Sequence, residues 1–151
     1  MAKSAKVRRK MTSRANTAKA ALARDERRLL VVEDELPLLA LLCDTFAAEG
    51  FEVLVAKNGH EGLAVAFSER PDLIILDILM PEMSGLDVLR RLRSDRYKWG
   101  RYVPVIILSN LSNHETIAEG LKHANDYLVK ADWTLSDLVS KVKEKLERNH
   151  V

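Results

Sequence analysis

The sequence has little cysteine and no long hydrophobic run. Cys43 is the single cysteine among 151 residues, so no disulfide can form within the chain, and we expect a reducing, cytoplasmic location. No run of about 18 apolar residues occurs, which argues against a transmembrane helix. The N-terminus also lacks the continuous apolar stretch of a secretory signal. Apolar residues nevertheless make up 47% of the chain, which is enough for the core of one soluble domain.

The net charge of +2 is small, but the charges are unevenly distributed. Residues 1–28 contain ten basic and two acidic side chains, a net charge of +8, whereas the remaining residues carry −6. Large apolar residues are almost absent before Leu22, and such segments rarely form a packed core. We therefore expect residues 1–28 to form a basic, flexible N-terminal extension and residues 29–151 to form the folded domain.

Five short apolar runs after residue 28 predict the strands of a parallel sheet. Their length and their Val and Ile content are typical of strands that are buried on both faces. The runs are LLVV (29–32), EVLVA (52–56), DLIILD (72–77), VPVIILS (103–109) and DYLVK (126–130). Because helical patterns lie between them, we predict an α/β fold of five βα units with right-handed crossovers and a doubly wound, five-stranded parallel sheet.

Amphipathic segments between these runs predict the helices. The apolar face of the first helix consists of Leu36, Leu39, Leu42, Phe46 and Ala47, and Gly50 ends that helix. The second helix should begin near Asn58, and Ser84 with Asp87 can form a capping box for the third. The last two helical patterns cover residues 116–123 and 134–149.

Polar side chains occur where four of the predicted strands end. They are Glu33 and Asp34 after the first strand, Asp77 after the third, Ser109 after the fourth and Lys130 after the fifth. The carboxyl ends of parallel strands lie at one edge of the sheet, so these groups should meet there. Clustered carboxylates need a cation, and Mg²⁺ accepts carboxylate and phosphate oxygens as ligands. A carboxylate can also attack phosphorus and form an aspartyl phosphate.

Four stretches of the sequence resemble a known family. They are LLVVEDE (29–35), PDLIILDILMPEMSGLDVLRRLR (71–93), VPVIILS (103–109) and DYLVK (126–130). Through them, residues 29–149 resemble the receiver domain of two-component response regulators. The resemblance implies a flavodoxin-like fold with strand order 2-1-3-4-5. It also implies a phosphoprotein of signal transduction or phosphorelay, which assists its own phosphorylation and dephosphorylation without being a classical enzyme.

The resemblance also implies roles for individual residues. Asp77 would be the phosphorylated residue. The Mg²⁺ ligands would be Asp34, Asp77, the backbone carbonyl of Leu79 and, through water, Glu33. The other roles would be Lys130 contacting the phosphoryl group, Ser109 hydrogen-bonding it, and Tyr127 rotating inward together with Ser109.

The sequence departs from the family pattern near the expected site. Ala131 follows Lys130 where the family has proline, so the Lys130–Ala131 peptide could be cis or trans. Asn110 stands where the family prefers Ala or Gly. Leu79 and Leu111 occupy the two positions that tune hydrolysis of the phosphoaspartate. Because apolar side chains cannot orient an attacking water, we expect a long-lived phosphoaspartate.

The expected partners follow from the same resemblance. A histidine kinase or a histidine phosphotransfer protein would supply the phosphoryl group. Phosphorylation would change a surface formed by the fourth helix, fifth strand and fifth helix, which would bind a downstream protein or a second copy of the chain. No output domain follows within the sequence, so a stand-alone receiver is expected.

Two other functions have to be weighed. The charge of residues 1–28 could bind nucleic acid, as an alternative or an addition to phosphorylation. A small phosphatase could use the same acidic residues, but such enzymes carry a second Asp where this chain has Leu79. The basic, aromatic loop DRYKWGRY (95–102) could be either a packed anchor or a partner site.

Overall fold

The protein forms a five-stranded parallel sheet with helices on both faces. The structure is a computed structural model, and it describes residues 27–96 and 98–150. The strands are β1 (Arg28–Val32), β2 (Glu52–Ala56), β3 (Leu73–Leu76), β4 (Val105–Ser109) and β5 (Asp126–Val129). They are arranged in the order β2-β1-β3-β4-β5, and all the pairs are parallel. The predicted fold and strand order are thereby confirmed.

Five helices connect and follow the strands. They are α1 (Leu36–Ala48), α2 (Gly59–Glu69), α3 (Gly85–Arg93), α4 (His114–Leu121) and α5 (Leu135–His150). One helical turn, Trp99–Tyr102, precedes β4, and a 3-10 turn, Lys130–Asp132, follows β5. The predicted extension, residues 1–28, lies outside the described residues except for its last two members, and Arg28 already belongs to β1.

The sheet separates two hydrophobic cores. One core contains side chains of α2 and α3 on one face of the sheet, and the other contains side chains of α1 and α5 on the opposite face. The strands β1, β3 and β4 supply apolar side chains to both cores, which is why their sequences are apolar without alternation. This packing fixes the carboxyl ends of these strands relative to one another.

Local signals in the sequence account for the helix starts. Asn58 caps α2 by accepting a hydrogen bond from the backbone N–H of Glu61 at 2.8 Å. Ser84 and Asp87 form the predicted capping box at the start of α3. The predicted inward face of α1 is wrong for two of its members: Leu36 is 58% exposed and Ala47 is also exposed. Both lie about a quarter turn around the helix from the buried stripe of Leu39, Leu42 and Phe46.

Candidate functional site

The polar side chains singled out in the sequence meet at the carboxyl edge of the sheet. Glu33 directly follows β1, Asp77 follows β3, Ser109 ends β4 and Lys130 follows β5. The parallel register aligns Val32 with Leu76 and Ser109 with Val129. These strand ends therefore lie side by side and present their side chains to one pocket.

Three carboxylates form the acidic part of this pocket. Ligand oxygens of Glu33, Asp34 and Asp77 all lie within 4.8 Å of one another. Glu33 is 2% exposed and Asp77 is 6% exposed, whereas Asp34 is exposed to solvent. A cation can reach the pocket from the side of Asp34 and would find an all-oxygen environment that suits Mg²⁺.

Lys130 partly compensates for the negative charge. Its Nζ atom lies 3.2 Å from Glu33 Oε1 and 3.6 Å from Asp77 Oδ2. Backbone N–H groups also donate to the two buried carboxylates, from Glu35 to Glu33 at 3.1 Å and from Ile78 to Asp77 at 2.7 Å. Burial and the charge of Asp77 nevertheless raise the pKa of Glu33 to about 7. The single positive charge of Lys130 therefore does not neutralise three carboxylates. Their oxygen atoms are ligands that fit a divalent cation.

Ser109 and Tyr127 are linked through the backbone of Leu111. The Oγ atom of Ser109, which is fully buried, accepts a hydrogen bond from the Leu111 N–H at 3.2 Å. The hydroxyl of Tyr127 donates to the Leu111 carbonyl at 2.7 Å. Burial raises the pKa of the Tyr127 phenol. A movement of the Ser109 side chain can therefore be transmitted to the ring of Tyr127 through the backbone of Leu111.

Gly120 makes room for this ring, and sequence reasoning missed it. A Cβ atom at position 120 would lie 2.9 Å from Tyr127 Cδ2 and 2.8 Å from Ile107 Cδ1, closer than ordinary packing allows. The glycine lies in α4, where nothing local requires it. The three-dimensional packing of α4 against β4 and β5 explains its presence.

The loop after Asp77 is held tightly against the pocket. Gly85 donates its N–H to the Ile78 carbonyl at 2.9 Å, and a Cβ atom at Gly85 would collide with the Asp77 carbonyl. The Leu79 side chain is 58% exposed. The peptide between Lys130 and Ala131 is trans, which answers the question that the missing proline raised.

Comparison with known proteins identifies the family. The model of the response regulator receiver domain matches residues 29–143. Transcriptional regulatory protein PrrA of Mycobacterium tuberculosis is 42% identical over 122 residues, covering 80% of this chain and 50% of that protein. DNA-binding response regulator MtrA of the same species is 35% identical over 123 residues, covering 81% of this chain and 51% of that protein. The chain therefore belongs to the response regulator receiver family.

Solved structures agree with this assignment. Response regulator TrrA of Thermotoga maritima, in complex with Mg²⁺-BeF, is 37% identical with a TM-score of 0.69, covering 80% of this chain and 98% of that one. The receiver domain of Francisella response regulator 1452 is 31% identical with a TM-score of 0.74, covering 82% and 99%.

The family defines what the chain does in general terms. It is a phosphoacceptor of two-component signal transduction, with an acidic pocket formed by Glu33, Asp34 and Asp77, and not a classical enzyme. A receiver domain implies a kinase as partner. The chain spans about half the length of the curated relatives it matches. Every helix in the described part of the chain is too short or too polar to cross a lipid bilayer.

Proposed function

We propose that Asp77 accepts a phosphoryl group from a histidine kinase or a histidine phosphotransfer protein. The observation that carries this proposal is the convergence of three carboxylates and Lys130 in one pocket. Mg²⁺ would be held by Asp34, Asp77 and the Leu79 carbonyl, with Glu33 acting through water. The related TrrA structure in complex with Mg²⁺-BeF supports the choice of metal.

The geometry suggests which oxygen of Asp77 reacts. Its Oδ1 atom accepts a hydrogen bond from the Ile78 N–H. We therefore expect Oδ2, which does not take part in that bond, to react. Oδ2 forms a bond to phosphorus while the bond from phosphorus to the donor nitrogen breaks, and that nitrogen keeps the electron pair. Mg²⁺, when bound, offsets the charge of the phosphoryl oxygens.

The remaining groups of the pocket then hold the transferred phosphoryl group. Lys130 already lies 3.6 Å from Oδ2, so its ammonium can move to a phosphoryl oxygen without a large displacement. Ser109 supplies a hydroxyl that can donate a hydrogen bond to another phosphoryl oxygen.

The direct test is phosphorylation by acetyl phosphate in the presence of Mg²⁺. The wild-type protein should gain one phosphoryl group by intact mass, and Asp77→Asn should gain none, because an amide cannot form the acyl phosphate. Asp44→Asn, at an exposed position of α1, is the matched control and should react as the wild type does. Modification of Asp77→Asn at the wild-type rate would overturn the proposal.

We also propose that phosphorylation changes the surface formed by α4, β5 and α5. Movement of Ser109 towards the phosphoryl group would disturb its hydrogen bond with Leu111, and with it the Leu111 bond to Tyr127. Amide spectra with and without beryllofluoride should then differ on this surface in the wild type, but not in Asp77→Asn. Identical wild-type spectra, with beryllofluoride bound, would contradict the switch.

The altered surface would bind a downstream protein or a second copy of the chain. Analytical ultracentrifugation with and without beryllofluoride distinguishes these two outcomes. A stand-alone mode of action and a cytoplasmic location remain predictions of the sequence.

A further inference from the structure

Two clefts meet at the amino edge of the sheet, on the side opposite the acidic pocket. The first has a volume of about 560 Å³ and is lined by residues that include Arg27, Arg70 and Trp99. The second has a volume of about 360 Å³ and is lined by residues that include Arg101 and Lys122. Both clefts share Tyr102, so they form one continuous surface, which we call the amino-edge face.

This face carries mainly positive charge. The second cleft is lined by the cationic side chains of Arg93, Arg101 and Lys122, together with His123, and no acidic residue in the described part of the chain lines it. The first cleft has one acidic lining residue, Asp72, whose Oδ2 atom accepts the backbone N–H of Arg28 at 2.8 Å. The exposed guanidinium groups of Arg70 and Arg101 form no ion pair within the described part of the chain and can meet an anionic ligand. The Lys122 ammonium pairs with Glu119 at 3.2 Å, at the exposed surface.

Arg93 and Trp99 hold the face in shape. The Arg93 guanidinium donates to the carbonyls of Gly100 and Val103, both at 2.8 Å, and to that of His123 at 2.7 Å. The Trp99 ring packs edge to face on Phe67 with 5.9 Å between the ring centroids. Trp99 is thus a packed anchor of the loop.

Tyr102 is an aromatic residue that the described part of the loop presents to solvent. It is 74% exposed and stands between the two clefts. An exposed ring among cationic side chains is the arrangement by which proteins stack unpaired bases while binding the phosphates. The bases of a duplex are stacked on one another and offer no free face, so the ring favours a single strand.

We propose that the amino-edge face binds single-stranded nucleic acid. Arg101, Lys122 and Arg70 contact phosphates, and the ring of Tyr102 stacks on a base. The segment of residues 1–28, with its charge of +8, joins the domain at this face, because Arg27 lines the first cleft. Its positive charge attracts the same ligand.

The test measures binding of the full-length protein to a labelled single-stranded DNA of about 16 nucleotides by fluorescence anisotropy. Mg²⁺ and phosphodonor are left out, so the result is independent of phosphorylation. Arg101→Gln should weaken binding and lower the dependence of log Kd on log salt by about 1. Lys57→Gln removes an exposed cation at the opposite edge of the sheet and should change neither quantity.

The stacking step has its own pair of variants. Tyr102→Ala should weaken binding about fivefold or more, whereas Tyr102→Phe keeps the ring and should bind as the wild type does. The side chains of Arg101 and Tyr102 are both exposed, so their replacement should leave the fold intact. Thermal unfolding verifies that the variants are folded.

Several results would overturn the proposal. In the first, the Arg101 and Tyr102 variants bind as tightly as the wild type, and combined replacement of Arg8, Arg9 and Lys10 by Gln abolishes binding. That result would assign binding to the extension alone. Tighter binding to duplex DNA, or to vesicles containing anionic phosphatidylglycerol, would assign the face to a different ligand. Absence of binding at low salt would exclude nucleic acid altogether.

Discussion

At the scale of single residues, Leu79 and Leu111 are two apolar side chains that follow the proposed site residues Asp77 and Ser109. Leu79 is 58% exposed two positions after Asp77, and Leu111 is half-buried two positions after Ser109. Neither side chain can accept or donate a hydrogen bond. Water that approaches a phosphorylated Asp77 therefore meets no side chain at these positions that could orient it.

We predict that the phosphoaspartate decays slowly. Leu79→Asn and Leu111→Glu should each shorten its lifetime several-fold, because the new polar groups can position an attacking water. The measurement is the loss of label after the phosphodonor is removed. Leu121→Asn, at an exposed apolar position of α4, is the control and should leave the lifetime unchanged. Decay within seconds in the wild type, unaltered in both site variants, would contradict this prediction.

The residues of the pocket could be predicted because their type and their position after apolar runs are both visible in the sequence. Acidic side chains directly after apolar runs indicated that Glu33, Asp34 and Asp77 would meet, and the structure brings them together. Gly120 could not be anticipated, because the need for a glycine there arises from its close packing against Ile107 of β4 and Tyr127 of β5. The trans peptide at Ala131 could not be anticipated either, since it depends on the surrounding loop.

At the scale of secondary-structure elements, Arg93 at the end of α3 holds the segment that leads to β4. Its guanidinium donates to three backbone carbonyls, including those of Gly100 and Val103. Burial lowers the pKa of Arg93, because the charged form loses contact with water. Arginine suits this position, since its planar group donates in several fixed directions at once.

We predict that Arg93→Lys lowers the free energy of unfolding by about 1–3 kcal/mol, because one ammonium group cannot replace all three hydrogen bonds. Chemical denaturation measures this change. Arg91→Lys, at an exposed position of the same helix, should have no measurable effect. Equal stability of the two variants would show that these hydrogen bonds add nothing.

Helix starts were easier to predict from sequence than helix faces. The capping box at Ser84 depends on two residues three positions apart, so the sequence contains all of it. The exposure of Leu36 depends on how wide the buried stripe of α1 is, which local periodicity does not encode. The helical turn Trp99–Tyr102 is too short to produce a recognisable period.

At the scale of the whole molecule, the acidic pocket opposes folding when no cation is bound. Three carboxylates lie close together, and only Lys130 offsets them by a direct ion pair among the described residues. Mg²⁺ that binds the folded form and not the unfolded chain must stabilise the fold by mass action.

We predict that Mg²⁺ raises the melting temperature of the wild type and has a much smaller effect on Asp34→Asn, which lacks one ligand. In metal-free buffer, Asp34→Asn should melt above the wild type, because one like charge has been removed. Differential scanning calorimetry with and without chelator measures both effects. Asp44→Asn, outside the pocket, should respond to Mg²⁺ as the wild type does. Equal Mg²⁺ responses of wild type and Asp34→Asn would remove Asp34 from the metal site.

The overall architecture was predictable because it depends on a repeated pattern. Alternating apolar runs and amphipathic segments indicated the parallel sheet, and family resemblance supplied its strand order. The amino-edge face was not predictable, because Arg70, Tyr102 and Lys122 come from three separate segments. Surfaces assembled in this way exist only once the chain is folded.

The position of Leu111 between Ser109 and Tyr127 has a thermodynamic consequence for the proposed switch. If phosphorylation and a bound partner both favour the same arrangement of these residues, each must strengthen the other by an equal free energy. A partner that captures the rearranged Tyr127 would thereby draw the equilibrium towards the phosphorylated state. The target of the signal would then help to set how much of the protein is phosphorylated at a given supply of donor.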